Sequence, residues 1–256
     1  MDIHEIAEQL KKVSDNPMFE ARLMQKYADG HLAEWIERRL KCEPLFKIIG
    51  RRGFWKDEFI TSADVLDPRP DSETIMEAVL KNFPDKKKDY RILDIGTGSG
   101  CLLYSLLDEY PIASGVGIDI SQEALNVAEK NRKQRKALLY QRDFFKPGWV
   151  SDLGLFDIIV SNPPYIPTKD IETLTPEVRL YDPVLALDGG ADGLDAYRAL
   201  ARDTGKILKP DGFLFLEIGI GQREAIIRLF QEQGWKAKEI VRDLGQIERV
   251  LVFIKS

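Results

Sequence analysis

Residues Asn162-Pro163-Pro164-Tyr165 place chemistry-bearing groups at an unusual spacing. They follow an apolar run over 156–160 that predicts a buried strand. Two successive prolines remove two backbone donors, so the strand cannot continue inside a sheet. The turn is stiffened, and its carbonyls point where no neighbouring strand uses them. The side-chain oxygen of Asn162 and the backbone oxygen of Pro163 then make a rigid pair of acceptors. Such a pair suits a planar group bearing an NH2, and Tyr165 can cover the face of that group. The competing reading of the tetrad alone is a proline-terminated strand with an asparagine turn.

A second motif narrows the chemistry. Asp94-Ile95-Gly96-Thr97-Gly98-Ser99-Gly100 closes a short apolar strand and opens an apolar helical stretch carrying Leu102, Leu103, Leu106 and Leu107. Glycines let a backbone approach a ligand closely. Asp119 ends the next strand, roughly 20 residues beyond the turn, where a carboxylate accepts both hydroxyls of a ribose. The glycines alternate instead of following the dinucleotide spacing, and the acidic Asp94 precedes them. That pattern favours a sulfonium nucleoside, S-adenosylmethionine, over a pyrophosphate, which would need a helix dipole aimed at it.

Together the motifs resemble the class I methyltransferases that act on planar nitrogen, and most closely the HemK/PrmC family of peptide chain release factor N5-glutamine methyltransferases. The likeness runs along nearly the whole chain. Pro68-Arg69-Pro70-Asp71-Ser72-Glu73 is similar to the family's P-R-P-D-T-E, and 94–100 to its D-L-G-T-G-S-G. Residues 160–166 are similar to V-S-N-P-P-Y-I, 186–198 to A-L-x-G-G-x-D-G-L-x-x-Y-R, and 217–222 to E-I-G-x-x-Q. The tetrad is shared with adenine methyltransferases; the first and fourth segments are more specific. The resemblance implies a release factor as protein substrate and an N-terminal helical bundle that helps recognise it. Family members usually carry a further helix in that bundle.

The positioning elements follow from periodicity. Helical stripes through Ile3, Ile6 and Leu10, through Phe19, Leu23 and Tyr27, and through Leu32, Trp35, Ile36 and Leu40 predict a helical bundle over 1–50, with Asn16-Pro17 starting its second helix. A linker over 51–70 is expected to hold a β-hairpin, and the methyltransferase domain to span 71–256. Asp71-Ser72 is expected to cap the helix that buries Ile75, Met76, Val79, Leu80 and Phe83. Strands near 91–95, 115–120, 138–142, 156–161 and 213–218 alternate with helices near 101–109, 122–135, 196–208 and 223–233. This is an α/β, Rossmann-like, parallel doubly wound sheet. Strands at 236–242 and 249–254 are joined too tightly for a crossover helix, so the last strand must run antiparallel. Dehydrogenase nucleotide domains lack that ending.

The chain of 256 residues carries a net charge of −5, and its basic clusters are small, which argues against stable binding to a long phosphate backbone. No apolar run reaches the length of a membrane span. The N-terminus shows no signal peptide. Two cysteines, Cys42 and Cys101, without His or Cys partners at ligand spacing, predict a reducing cytoplasm, no disulfide framework and no metal. A monomer is the default expectation.

In an open parallel sheet, ligands bind beyond the carboxyl ends of the strands. Gly96, Thr97, Gly98, Ser99 and Gly100 are then expected under the methionine part of the cofactor, and Asp119 at the ribose. Asp143 and Phe144 are expected at adenine, and Asn162 beside the methyl group. Asn162, Pro163, Pro164 and Tyr165 are expected to hold the substrate. Arg69, Asp71 and Glu73 either line the active-site wall or tie the linker to the domain, the structural role being favoured. Glu217 ends the fifth strand without an assigned partner. Two other readings stay open: an adenine N6-methyltransferase acting on DNA or RNA, and an idle binding module on the same fold.

Overall fold

In the computed structural model, which describes residues 1–255, four helices come first: α1 (Ile3–Leu10), α2 (Pro17–Tyr27), α3 (Leu32–Leu40) and α4 (Leu45–Ile49). Asp2 and Glu5 form a capping box on α1. The Asn16 side chain accepts from the Phe19 N–H at the start of α2, with Pro17 in the first turn. Ile6, Leu10, Met24, Ile36, Leu45 and Ile48 close the bundle core. α4 was not expected; five residues are too few to show a helical period.

The hairpin is β1 (Arg51–Phe54) against β2 (Asp57–Ile60). It buries Phe54 and Phe59, and the Asn131 side chain pairs with both the N–H and the carbonyl of Ile60 at 2.8 and 3.0 Å. A 3-10 turn over Pro70–Ser72 leads into α5 (Glu73–Asn82). Here the expectation fails: Ser72 has helical dihedrals and makes no cap hydrogen bond. Its hydroxyl is used elsewhere, as described below.

The sheet holds β3 (Arg91–Ile95), β4 (Ser114–Asp119), β5 (Ala137–Gln141), β6 (Phe156–Ser161), β7 (Leu208–Glu217), β8 (Trp235–Arg242) and β9 (Glu248–Lys255), in the order β5-β4-β3-β6-β7-β9-β8. The β3 to β7 strands pair in parallel, whereas β9 is antiparallel to both β7 and β8. Helices α6 (Cys101–Glu109), α7 (Gln122–Asn131), α8 (Pro176–Tyr181), α9 (Asp195–Asp203) and α10 (Arg223–Glu232) complete the chain. All six β6 residues are buried, as a central parallel strand covered on both faces requires. One core packs α9 and α10 on one face of the sheet, and a second packs α5 and α6 on the other.

Boundaries shift where local chemistry intervenes. α7 stops at Asn131, four residues early, because that side chain is tied to β2 and Lys133 adopts a left-handed φ of 51°. α9 stops at Asp203, where a 3-10 turn over Thr204–Lys206 takes over. β7 begins at Leu208, with a register shift opposite Phe156 and Ile158. Among the described residues no helix is long and apolar enough to cross a membrane.

Candidate active site

The direction of the chain's excursions along the sheet reverses between β3 and β6, so their carboxyl ends flank the crevice where ligands bind in such folds. Register then decides what meets there. Ile95 pairs with Ile118 on one side and Ser161 on the other, and Ser161 pairs with Leu216. One residue further along each strand stand Gly96, Asp119, Asn162 and Glu217. Four positions far apart in sequence are brought side by side by strand pairing alone, and the Ser161 hydroxyl donates to the Ile95 carbonyl at 2.7 Å to fix the alignment.

The glycine turn is shaped as a cradle. Gly96, Gly98 and Gly100 all take positive φ. A Cβ built on Gly96 or Gly98 would meet nothing within 4 Å, so the open side of the backbone faces free space. Gly96 and Thr97 both donate to the Ile118 carbonyl. The Ser99 carbonyl is held by Asn131 at 2.9 Å. Thr97 Oγ1 donates to Asp94 Oδ2 at 2.7 Å, whereas Asp94 Oδ1 is buried with no partner. Burial drives the Asp94 carboxyl up to about 7; the Thr97 hydrogen bond opposes this and the Asp119 charge adds to it.

Asp119 is pinned by two backbone donors: Gly98 N–H reaches Oδ2 at 2.9 Å and Ser121 N–H reaches Oδ1 at 3.0 Å. The α7 cap is the Ser121 side chain, so Asp119 is free of that duty. Each carboxylate oxygen keeps lone pairs for a further donor. Burial again raises this carboxyl, against three backbone hydrogen bonds. Beyond it a cavity of about 390 Å³ is lined by Ile120, Asp143 and Trp149 among others. Phe144 was expected at adenine. Its ring packs into the core with Leu93, Ile95 and Trp149, stacked on Phe145 at 4.5 Å between centroids, and does not line the cavity.

These features fit S-adenosylmethionine: an orphaned buried acceptor for the ammonium, a cradle without side chains for the methionine, a fixed carboxylate for the ribose and a partly apolar cavity for the base. The electrostatics give a test. A raised acid stabilises the fold fully below its unfolded value of 3.8, and that contribution is lost as pH rises through about 7. A cation prefers the ionised form. Titration calorimetry should therefore show affinity for S-adenosylmethionine rising about fivefold between pH 6 and 7, with the rise absent in Asp94→Asn. A wild-type affinity flat over that range removes Asp94 from the ammonium site.

The tetrad ends β6 at a second cavity of about 430 Å³. Asn162 lines this cavity; its Nδ2 donates to Ser72 Oγ at 3.0 Å, and its Oδ1 has no hydrogen-bond partner among the described residues. No donor among the described residues reaches the Pro163 carbonyl. Tyr165 lines the same cavity, and burial raises its phenol to about 12. Pro164 forms the back of the turn: its carbonyl would lie 2.9 Å from a Cβ on Gly189.

Two segments noted only as family-like turn out to be the scaffold of this turn. Gln222 Nε2 donates to the carbonyls of Tyr165 at 2.9 Å and Gly193 at 3.2 Å, while its Oε1 accepts from Gly219 N–H at 3.0 Å. Ile166 and Gly189 bond through their backbones. Glu73 ties the hairpin to the domain by accepting from Trp55 N–H at 2.8 Å, whereas Arg69 and Asp71 line the cavity, Asp71 pairing with Arg249 at 3.0 Å. Arg69 and Lys47 both bind the buried Asp182, at 2.7 and 2.9 Å. That last pair joins the bundle to a covering segment, 167–187, which sequence analysis missed. α8 is its centre, and six residues are too short for a periodic signal. Glu177 on α8 also pairs with the buried Arg39 of α3.

Comparison with known proteins gives the family. A methyltransferase domain family matches residues 86–234. The chain is 42% identical to the release factor glutamine methyltransferase of Caulobacter vibrioides, over 94% of this chain and 91% of that protein. It is 43% identical to that of Agrobacterium fabrum, over 88% and 78%. The ribosomal protein L11 methylase of Lactobacillus delbrueckii subsp. bulgaricus shares the fold at 19% identity, with a TM-score of 0.52 over 80% of this chain and 90% of that one. The chain uses S-adenosylmethionine and belongs to the release factor glutamine methyltransferase family.

Proposed function

We propose that this protein transfers the methyl group of S-adenosylmethionine to the side-chain amide nitrogen of a glutamine in a peptide chain release factor. The observation that carries the reading is the pair of unpartnered acceptors, Asn162 Oδ1 and the Pro163 carbonyl, at a strand end directly beside the glycine cradle. S-adenosylmethionine, when bound, supplies a methyl group on a positively charged sulfur.

The chain's own residues address one difficulty. An amide nitrogen is a weak nucleophile because its lone pair is delocalised into the carbonyl. Asn162 Oδ1 and the Pro163 oxygen accept the two N–H bonds, hold the nitrogen and turn its out-of-plane direction toward the methyl group. They also favour the positive charge that develops on nitrogen. Tyr165 packs on the amide plane and excludes water. With the cofactor bound, the N–C bond would form as the S–C bond breaks, the electron pair going to sulfur. The nitrogen, now acidic, then loses one proton to solvent. Proximity supplies the remainder.

A protein substrate is supported by Leu180, Val184 and Leu185, which stand exposed on the covering segment beside the cavity. The basic clusters are largely paired: Lys133 and Arg135 bind Asp57, Arg132 binds Glu129, and Lys86 binds Glu109. That pairing supports an enzyme without stable nucleic-acid binding. A monomer at work in the cytoplasm, where release factors act, completes the reading.

Purified enzyme with labelled S-adenosylmethionine should label a release factor once, and mass spectrometry should place the methyl on one glutamine side chain. Replacing that glutamine should abolish labelling. Methylation of adenine in DNA or RNA with none on the release factor would decide for the nucleic-acid reading.

A further inference from the structure

We propose that Ser72 and Glu217 set which end of the Asn162 amide faces the substrate. The inference rests on the reading of Asn162 Oδ1 as an acceptor for the substrate NH2. An asparagine amide has an acceptor end and a donor end of nearly the same shape. Flipped, it would show two N–H donors to a substrate nitrogen that itself brings N–H donors. The tetrad contains nothing that forbids the flip.

The neighbours do. Ser72 Oγ accepts from Asn162 Nδ2 at 3.0 Å and donates to Glu217 Oε2 at 2.5 Å. A lone hydroxyl would be indifferent, because it can donate to Oδ1 as readily as accept from Nδ2. Glu217 removes the choice. An ionised carboxylate only accepts, so it takes the single hydroxyl proton, and only lone pairs remain for Asn162. The polarity of the carboxylate is thus passed through the hydroxyl to the amide. Ser72 and Glu217 are 3% and 2% exposed, so water does not substitute for either. Tyr197 Oη holds the Glu217 backbone carbonyl at 2.8 Å, which fixes the strand end.

Protonation of Glu217 would undo the arrangement, since a carboxylic acid can donate to Ser72 and free the hydroxyl proton to turn toward Asn162. The groups around Glu217 are Ser72 and Asp71 from the 3-10 turn before α5, Asn162 and Tyr165 from the tetrad, Tyr197 on α9 and Arg249 on β9. Burial lifts its carboxyl to about 7 and Asp71 pushes the same way; Ser72, Arg249 and Asn162 pull it down. Ser72 and Glu217 act through Asn162, so both are positioning residues.

The test compares Ser72→Ala, Ser72→Thr and Glu217→Gln with wild type, by steady-state methylation of release factor and by the exchange of the Asn162 side-chain NH2 protons in 15N NMR. The NH2 signal is assigned by its loss in Asn162→Asp. Ser72→Ala should lower kcat at least about tenfold, with KM and cofactor affinity little changed, and should speed NH2 exchange by a similar factor. Ser72→Thr, which keeps the hydroxyl, should restore both. Wild-type kcat should fall as pH drops below about 7, and Glu217→Gln should lose that limb. Equal NH2 exchange in wild type and Ser72→Ala overturns the proposal, as does a kcat loss in Ser72→Ala that Ser72→Thr does not repair. The NMR measurement needs no substrate. Protected NH2 protons freed by Ser72→Ala, in an enzyme that leaves release factor unmodified, would keep the positioning role and reject the substrate reading.

Discussion

Replacing Asn162 with alanine is expected to lower turnover by about 10²–10³-fold, ~2.7–4 kcal/mol, the scale for removing one preorganised polar group aimed at developing charge. The expectation comes from how fully the side chain is used. Its Nδ2 is held by Ser72 and its Oδ1 has no partner except what enters the cavity. Alanine leaves the Pro163 carbonyl as a lone acceptor, so one N–H bond of the amide goes unpaired and the nitrogen can rotate away from the line of attack. The cofactor should lose little, because the proposed holdfasts for it are Asp94, Asp119 and the glycine cradle. Single-turnover methylation together with titration calorimetry separates the two effects. If cofactor affinity collapses while turnover per bound enzyme survives, Asn162 belongs to the cofactor site.

The parts of this site that could be read from sequence are those whose local chemistry permits few alternatives. Pro163 and Pro164 must end a strand, and alternating Gly96, Gly98 and Gly100 must make an open turn. An acid after the next strand, Asp119, stands where strand pairing returns it to that turn. The antiparallel ending followed from a short connection that allows no crossover. What escaped is what only tertiary pairing creates. Ser72 and Glu217 are 145 positions apart, and Ser72 and Asn162 are 90 apart. The residue pattern at Ser72 suits a helix cap, and nothing local shows that β7 will take the hydroxyl instead. Phe144 is ambiguous in sequence for a related reason. An aromatic at a strand end serves a base or a core equally well in sequence, and here the neighbouring Leu93 and Trp149 claim it. α8, at the centre of the covering segment, and α4 are too short to show a period.

The loop that backs the tetrad leaves no room for a side chain. Gly193 takes a φ of 77°, and a Cβ there would lie 2.4 Å from the Tyr165 carbonyl and 2.7 Å from Gln222 Nε2. The nearest obstacle is backbone, which cannot swing aside as a side-chain end does. Gly193→Ala is therefore expected to carry two penalties. The left-handed conformation costs a non-glycine residue about 1–3 kcal/mol. At about 2–4 °C per kcal/mol for a chain of this size, Tm should drop by roughly 2–12 °C. The contact adds a displacement of the Tyr165 carbonyl, which breaks the Gln222 hydrogen bond and shifts the tetrad against the cradle. A misplacement of about 1 Å can cost on the order of 10²-fold in rate. Gly30→Ala is the matched control: its φ is 89°, nothing lies within 4 Å of its Cβ, and it sits between α2 and α3, away from the tetrad. It should lower Tm comparably and leave kcat unchanged. Thermal melts and methylation rates on both variants decide the matter. If Gly193→Ala keeps wild-type kcat at temperatures where it stays folded, the loop over 188–195 does not hold the acceptor pair in place, and the placement of the Pro163 carbonyl must depend on the proline turn alone.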